Sequence, residues 1–271
     1  MRKHVHPGGV RLRDLLLALK SGFGFLTTIP VGISMEGIDA LMRHIYLFPL
    51  VGGALGLIYA SVALALTAFV PAGIAAALVL VVIVKLCGIN HADGLADFGD
   101  GVSAHTTVEK KISAMKDVYI GTGGVVFVVL AILAVYASLT AIPAGALPIA
   151  LIVAEVAAKQ SMIAFAAFSA PLQKGFGQIA IENTDRSDFL IGLLIAAAIC
   201  GALAGLPGIA VLLAAQISAL YLVVVSRRNF GGATGDGFGA TNEVARAVAL
   251  VSAAILTANG LGWEVLLWTP W

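Results

Sequence analysis

This chain reads as an all-α protein, a polytopic integral membrane bundle of about seven transmembrane helices with an interfacial helix at its N-terminus. Composition points there first. Of its residues 60% are hydrophobic and only 11% are charged, and the mean hydropathy is +1.01. A soluble domain carries roughly a quarter charged residues, so these apolar side chains exceed what one water-soluble core would hold, and the lipid bilayer is their natural solvent. Segmentation points there second. Seven apolar stretches, about 46–70, 72–89, 122–141, 147–169, 188–204, 208–226 and 241–260, approach the length of a spanning helix, with breaks at Pro71, Pro143–Pro148 and Pro207. Charge is the third observation. Lys and Arg collect in every second connection, as they do in cytoplasmic loops.

The N-terminal region, residues 1–45, is basic, with Arg2, Lys3, Arg11, Arg13, Lys20 and Arg43. Lys20 interrupts the Leu15–Leu19 run and Pro30 closes the stretch, so residues 14–30 are expected to form an interfacial or partly re-entrant helix, not a cleaved signal. The bundle follows over 46–260, and residues 1–271 are expected to form one membrane domain. Lys110, Lys111 and Lys116 mark the 90–121 loop, Lys174 and Arg186 the 170–187 loop, and Arg227 and Arg228 the 227–240 loop, with Arg246 just beyond. The connections near residues 71, 142–147 and 205–207 hold no Lys or Arg, and Glu264 is the one charged residue on that side. The expected orientation is N-terminus and any active site cytoplasmic, C-terminus outside. A net charge of +1 does not suggest nucleic-acid binding, so no nucleic-acid partner is expected, and Cys87 and Cys200 read as small buried hydrophobes.

The segment Asn90-His91-Ala92-Asp93-Gly94-Leu95-Ala96-Asp97-Phe98-Gly99-Asp100-Gly101 follows the second span. Helical continuation places Asn90, Asp93, Asp97 and Asp100 on one face. Carboxylates so close repel one another unless a cation intervenes. Oxygen donors suit Mg²⁺ or Mn²⁺, which keep waters and bridge to phosphate, and no Cys/His set is spaced for zinc. Lys116-Asp117 lies downstream, ahead of Gly121, with Asp117 either a further ligand or a partner of the lysine. A second element is the run Gly231-Gly232-Ala233-Thr234-Gly235-Asp236-Gly237-Phe238-Gly239-Ala240-Thr241. Its glycines would let backbone N–H groups approach a phosphate, Asp236 would complete a metal site, and Thr241 or Asn242 would cap the seventh span. Glu155 and Lys159, four apart in the fourth span, are either functional or a register-fixing pair, and Lys159 and Lys85 are the lysines placed inside apolar segments.

Together these residues resemble the cobalamin synthase family, also called adenosylcobinamide-GDP ribazoletransferase or cobalamin 5′-phosphate synthase. The resemblance rests on His91-Ala92-Asp93-Gly94-Leu95-Ala96-Asp97-Phe98-Gly99-Asp100-Gly101, Lys116-Asp117 with Gly121, Thr234-Gly235-Asp236 and Gly239-Ala240-Thr241, with Phe25–Pro30 and Phe48–Gly52 in support. It implies an Mg²⁺-dependent transferase acting on adenosylcobinamide-GDP and α-ribazole (or its 5′-phosphate) with release of GMP. It further implies Asp93, Asp97, Asp100 and Asp236 as metal ligands, with Asp117 as a further candidate. One carboxylate among Asp93, Asp97 and Asp100 would act as base, and Lys116, Gly235 and Gly237 would contact the nucleotide phosphates. Asn90 and His91 adjoin this site. Lys174 stands where many members carry an arginine, and it would keep a phosphate contact but not a bidentate one. A homo-oligomer stays open. Two other functions compete. A CDP-alcohol phosphatidyltransferase would show Ala-Arg after its first Asp pair and later Asp residues at i+4 spacing, both missing here. A transporter would set its carboxylates near the bilayer midplane.

Overall fold

The computed structural model describes residues 11–87, 89–172 and 176–261. Lys174, Arg2, Lys3 and Glu264 therefore lie outside the described residues. Eleven α-helices follow one another among those described: α1 Leu12–Leu26, α2 Met35–Arg43, α3 Phe48–Thr67, α4 Ala72–Cys87, α5 Asn90–Ser103, α6 Val108–Ala114, α7 Thr122–Ala141, α8 Leu147–Phe168, α9 Phe176–Asn183, α10 Arg186–Phe230 and α11 Gly235–Ala258. Strand pairing among the described residues is limited to one isolated bridge, Pro171 to Ala233. The chain is thus all-α, as composition and segmentation predict.

The expected N-terminal helix over 14–30 is α1, which stops at Leu26, and a second short helix follows. Ser34 caps α2 by accepting the Gly37 N–H at 3.1 Å. The centre of the bundle is α8, where every residue from Val153 to Ala166 is buried. This helix carries Glu155, Lys159, Gln160 and Ser161, polar groups that lipid would not satisfy, and α3, α10 and α11 surround it. Small residues set the closest approach. A Cβ at Gly52 would lie 2.5 Å from the Glu155 carbonyl oxygen, and one at Gly56 would lie 2.5 Å from the Ile152 Cα. This pair, four apart, lets the α3 and α8 backbones touch, the packing that small-xxx-small spacing permits in membranes. Outer helices show lipid-type surfaces instead: α7 exposes Val125, Val126, Val129, Leu130 and Leu133.

Five helices are long and apolar enough to cross a membrane, and α4 with α5, bent by 91°, makes a sixth candidate. The predicted spans divide differently for two physical reasons. Alone, α4 has 16 residues, and the segment read as the start of the 90–121 loop is itself a helix, α5, set at 91° to α4. The fifth and sixth predicted spans form one assigned element of 45 residues, α10, interrupted at Gly205 (φ 57°, ψ −141°) ahead of Pro207. A Cβ at Gly208 would collide with the Cys200 carbonyl oxygen. Residues eight apart in an unbroken helix are about 12 Å apart, so the chain doubles back here as a helical hairpin. The left-handed φ at Gly205 is a conformation other residues rarely adopt. Cys87 and Cys200 are both free and buried.

Candidate active site

The carboxylate helix α5 forms despite its glycines, each of which costs about 1 kcal/mol of helix propensity. Those glycines allow contacts no larger residue would. A Cβ at Gly94 would lie 2.9 Å from the Asp236 carbonyl oxygen and 3.2 Å from its Cα, and one at Gly99 would meet the Phe127 ring at 2.8 Å. Hence α5 lies directly on the first turn of α11 and against α7. Its inner face carries buried His91, Gly94, Leu95, Phe98 and Gly99. Asn90 and Asp93 are exposed on the other face, and Asp97 and Asp100 are half-buried.

Two stretches far apart in sequence thus meet at one rim of the bundle. Burial, and after it the charges of Asp236, Asp93 and Asp100, push the Asp97 carboxyl up to about 7. Lys116 is exposed just after α6, and its ammonium lies within electrostatic reach of Asp236. Asp117 is exposed and accepts the Tyr119 N–H at 3.1 Å, a local turn.

Asp100 serves a further role. One of its oxygens accepts the Gly121 N–H at 2.7 Å and the other the Gly124 N–H at 2.8 Å. Both donors belong to the otherwise unsatisfied first turn of α7, so Asp100 joins α5 to α7 as a cap supplied from another helix. The glycine-rich segment also differs from expectation. Thr234 accepts the Gly237 N–H at 3.1 Å and starts α11 at Gly235, well before Thr241 or Asn242. Gly235 and Gly237 are therefore helical, not loop, and the Gly237 N–H is already used. Gly237 is small because a Cβ there would lie 2.8 Å from the Phe165 ring. Gly231, at φ 82°, ends α10, and its N–H reaches the Arg227 carbonyl at 3.0 Å.

No three His, Cys, Asp or Glu side chains among the described residues gather closely enough to hold one ion. A preformed cage is not needed for Mg²⁺, which takes one or two carboxylates, several waters and substrate phosphate oxygens. Asp93, Asp100 and Asp236 all act on the Asp97 carboxyl, and of the four Asp100 is the most committed elsewhere.

Beneath the rim the Glu155–Lys159 pair expected from the i, i+4 spacing forms inside the bundle, and sequence reasoning missed its third member. It placed Arg246 with the loop cations, but that residue is 1% exposed inside α11, and Glu155 and Lys159 on α8 are equally buried. Arg246 pairs with Glu155 and, at 2.6 Å, with Glu243, while Lys159 reaches Glu155 at 2.8 Å. The available signal was the i, i+3 spacing of Glu243 and Arg246 in an otherwise apolar helix. His91 joins this layer, with its Nδ1 at 3.3 Å from the Asn242 amide nitrogen.

A family model described as Cobalamin-5-phosphate synthase matches residues 18–254, across every element of this site. The chain belongs to the cobalamin-5-phosphate synthase family. Within it, the chain is 43% identical over 280 residues to the adenosylcobinamide-GDP ribazoletransferase of Methanosarcina mazei, covering 94% of this chain and 100% of the relative. Like-named relatives from Methanococcoides burtonii (40% identical; 96% of this chain, 100% of the relative) and Methanosarcina barkeri (43% identical; 90% and 94%) are similar. No solved structure matches. Both halves of the rim, α5 and the start of α11, fall inside the region shared with the cobalamin-5-phosphate synthase family.

Proposed function

We propose that this chain carries out the reaction its relatives are named for: it transfers the adenosylcobinamide-phosphate group of adenosylcobinamide-GDP to α-ribazole or its 5′-phosphate. A ribose hydroxyl of the ribazole attacks the cobinamide-linked phosphorus. The bond from that phosphorus to the bridging oxygen breaks, GMP leaves with the electron pair, and the hydroxyl proton passes to a carboxylate. The observation that carries this reading is the contact of Gly94 with the Asp236 backbone, which draws the α5 carboxylates and Asp236 to a common rim.

The residues divide the work by position. Exposed Asp93 and half-buried Asp97 and Asp236 would hold Mg²⁺, which when bound neutralises phosphate charge and the leaving oxygen. Exposed Lys116 is free to swing onto a phosphate, attracting the dianionic nucleotide to an otherwise acidic rim. The Gly235 backbone at the first turn of α11 offers the positive end of a helix to the same anion. Asp100 holds α7 in register beneath. The corrinoid partitions along the bilayer surface, beside which α5 lies after its bend from α4.

The rim faces the cytoplasm in this reading, with seven crossings: α3, α4, α7, α8, the two arms of α10, and α11. The alternation of Lys- and Arg-bearing connections supports it. The deciding experiment is GMP release from adenosylcobinamide-GDP and α-ribazole by the purified protein, with and without Mg²⁺. Asp97→Asn is expected to abolish release while still inserting and purifying as a monodisperse species. Near-normal turnover by that variant removes Asp97 from the site, and no release by the wild type under any divalent ion ends the proposal.

A further inference from the structure

The charge layer under the rim is complete in itself. Arg246 Nε donates to Glu155 Oε1, and Nη1 to Glu243 Oε2 at 2.6 Å. Nη2 donates to Glu155 Oε2 at 3.4 Å and to Cys87 Sγ at 3.2 Å, where the Tyr59 hydroxyl also lies at 3.2 Å. Lys159 Nζ donates to Glu155 Oε2 and to Asn242 Oδ1, both at 2.8 Å. Two cations thus face two anions, and α3, α4, α8 and α11 all contribute. Asn242, Glu155, Lys159 and Arg246 are each at most 1% exposed as residues.

Among the described residues the layer reaches α5 through Asn242. Lys159 has only donors, so the Asn242 oxygen must face it. Glu243 Oε1 is only an acceptor, and it lies 2.8 Å from Asn242 Nδ2. Two independent charged neighbours therefore impose the same orientation on one amide, and that orientation does not depend on telling nitrogen from oxygen by shape. The amide nitrogen, a donor only, is also the group facing His91 Nδ1 at 3.3 Å. Nδ1 must then accept, and in a neutral ring the proton stands on Nε2. A Cβ at Gly239 would lie 3.4 Å from the His91 Cα, so the ring's backbone is seated on α11 as well.

We propose that Glu155, Lys159, Glu243 and Arg246 form a positioning device that acts through Asn242: it fixes the His91 ring in its Nε2–H tautomer and so seats the first turn of α5, from which Asn90 and Asp93 project. His91 is a positioning residue of the carboxylate helix, held by a relay two helices deep. An ion pair that only cemented α8 to α11 would not need Asn242 to bridge Lys159 and Glu243 to a ring on a third helix. The tautomer half of the inference stands alone, and only its kinetic half rests on the proposed transfer reaction.

The test uses the full chain in lipid nanodiscs with ¹⁵N-labelled histidine, the His91 signals being assigned by their loss in His91→Gln. Wild type is expected to show a single Nε2–H tautomer for His91. Asn242→Leu, similar in volume but unable to donate, and Lys159→Met, which removes one of the two charged neighbours that orient the amide, are each expected to give a mixture, the larger in Asn242→Leu. In GMP release both should lower kcat about tenfold to a hundredfold, with KM for adenosylcobinamide-GDP within about twofold of wild type, the pattern of misplaced groups and not of lost binding. Should either variant fail to fold, the other and the wild-type tautomer still decide. A wild-type proton on Nδ1, or a tautomer and kcat unmoved in a folded variant, overturns the proposal. A wild type that shows the Nε2–H tautomer and releases no GMP overturns the reaction reading alone.

Discussion

Two charged regions of this molecule stand one above the other and are built on opposite terms. In the buried layer around Glu155, each cation meets a carboxylate and the charges sum to zero. At the rim, Asp97 has Asp236, Asp93 and Asp100 as neighbours, and burial, with these charges added to it, drives its carboxyl upward. Charges that satisfy one another are finished structure, because removing any one leaves an uncompensated ion in a low dielectric. Charges that oppose one another are incomplete, and a ligand of opposite sign is what relieves them. The difference separates the part of the protein that supports from the part that reacts.

That contrast breaks most visibly at Glu155. Glu155→Ala leaves Lys159 and Arg246 facing Glu243 alone, and a loss of roughly 3–5 kcal/mol is expected, read as a collapse in monodisperse yield or thermal midpoint. A variant as stable as wild type would mean the layer is not the compensated unit described. Asp97→Asn at the rim should do the reverse, keeping the fold and losing turnover. Gly94→Val comes next. Its Cβ would press on Asp236 from 2.9 Å, and prising α5 from α11 should cost about 1–3 kcal/mol, with GMP release falling further than stability does. Full activity in this variant would show that the close approach of the two helices is dispensable. The smallest effect sharpens the boundary between the regions: Asp100→Ala should lose roughly 0.5–2 kcal/mol, the value of a helix cap, measured by thermal unfolding. If metal ligation were its main role instead, stability would hold and Mg²⁺ dependence alone would shift.

Much of the architecture was legible in the chain. Apolar segments, proline breaks and the placement of Lys and Arg are local properties, and a helix in lipid satisfies its own backbone hydrogen bonds, so each segment declares itself without reference to its neighbours. The face shared by Asp93, Asp97 and Asp100 was legible for the same reason, since helical periodicity is local. The start of α11 was misjudged because a glycine-rich stretch reads as loop until Thr234 is seen to cap it. The hairpin in α10 was anticipated from Pro207, although Gly205 makes the turn.

The residues alone determined that this is a helical membrane protein with an acidic patch on one helix and a family likeness built around it. Tertiary structure alone decided that Asp236 meets that patch, that Asp100 is shared with the α7 terminus, and that Arg246 is an interior ion and not a loop charge. The physical reason is range. Hydropathy and periodicity act over a single helix, whereas ion pairing and glycine-to-backbone contact depend on which helices lie side by side, and packing sets that.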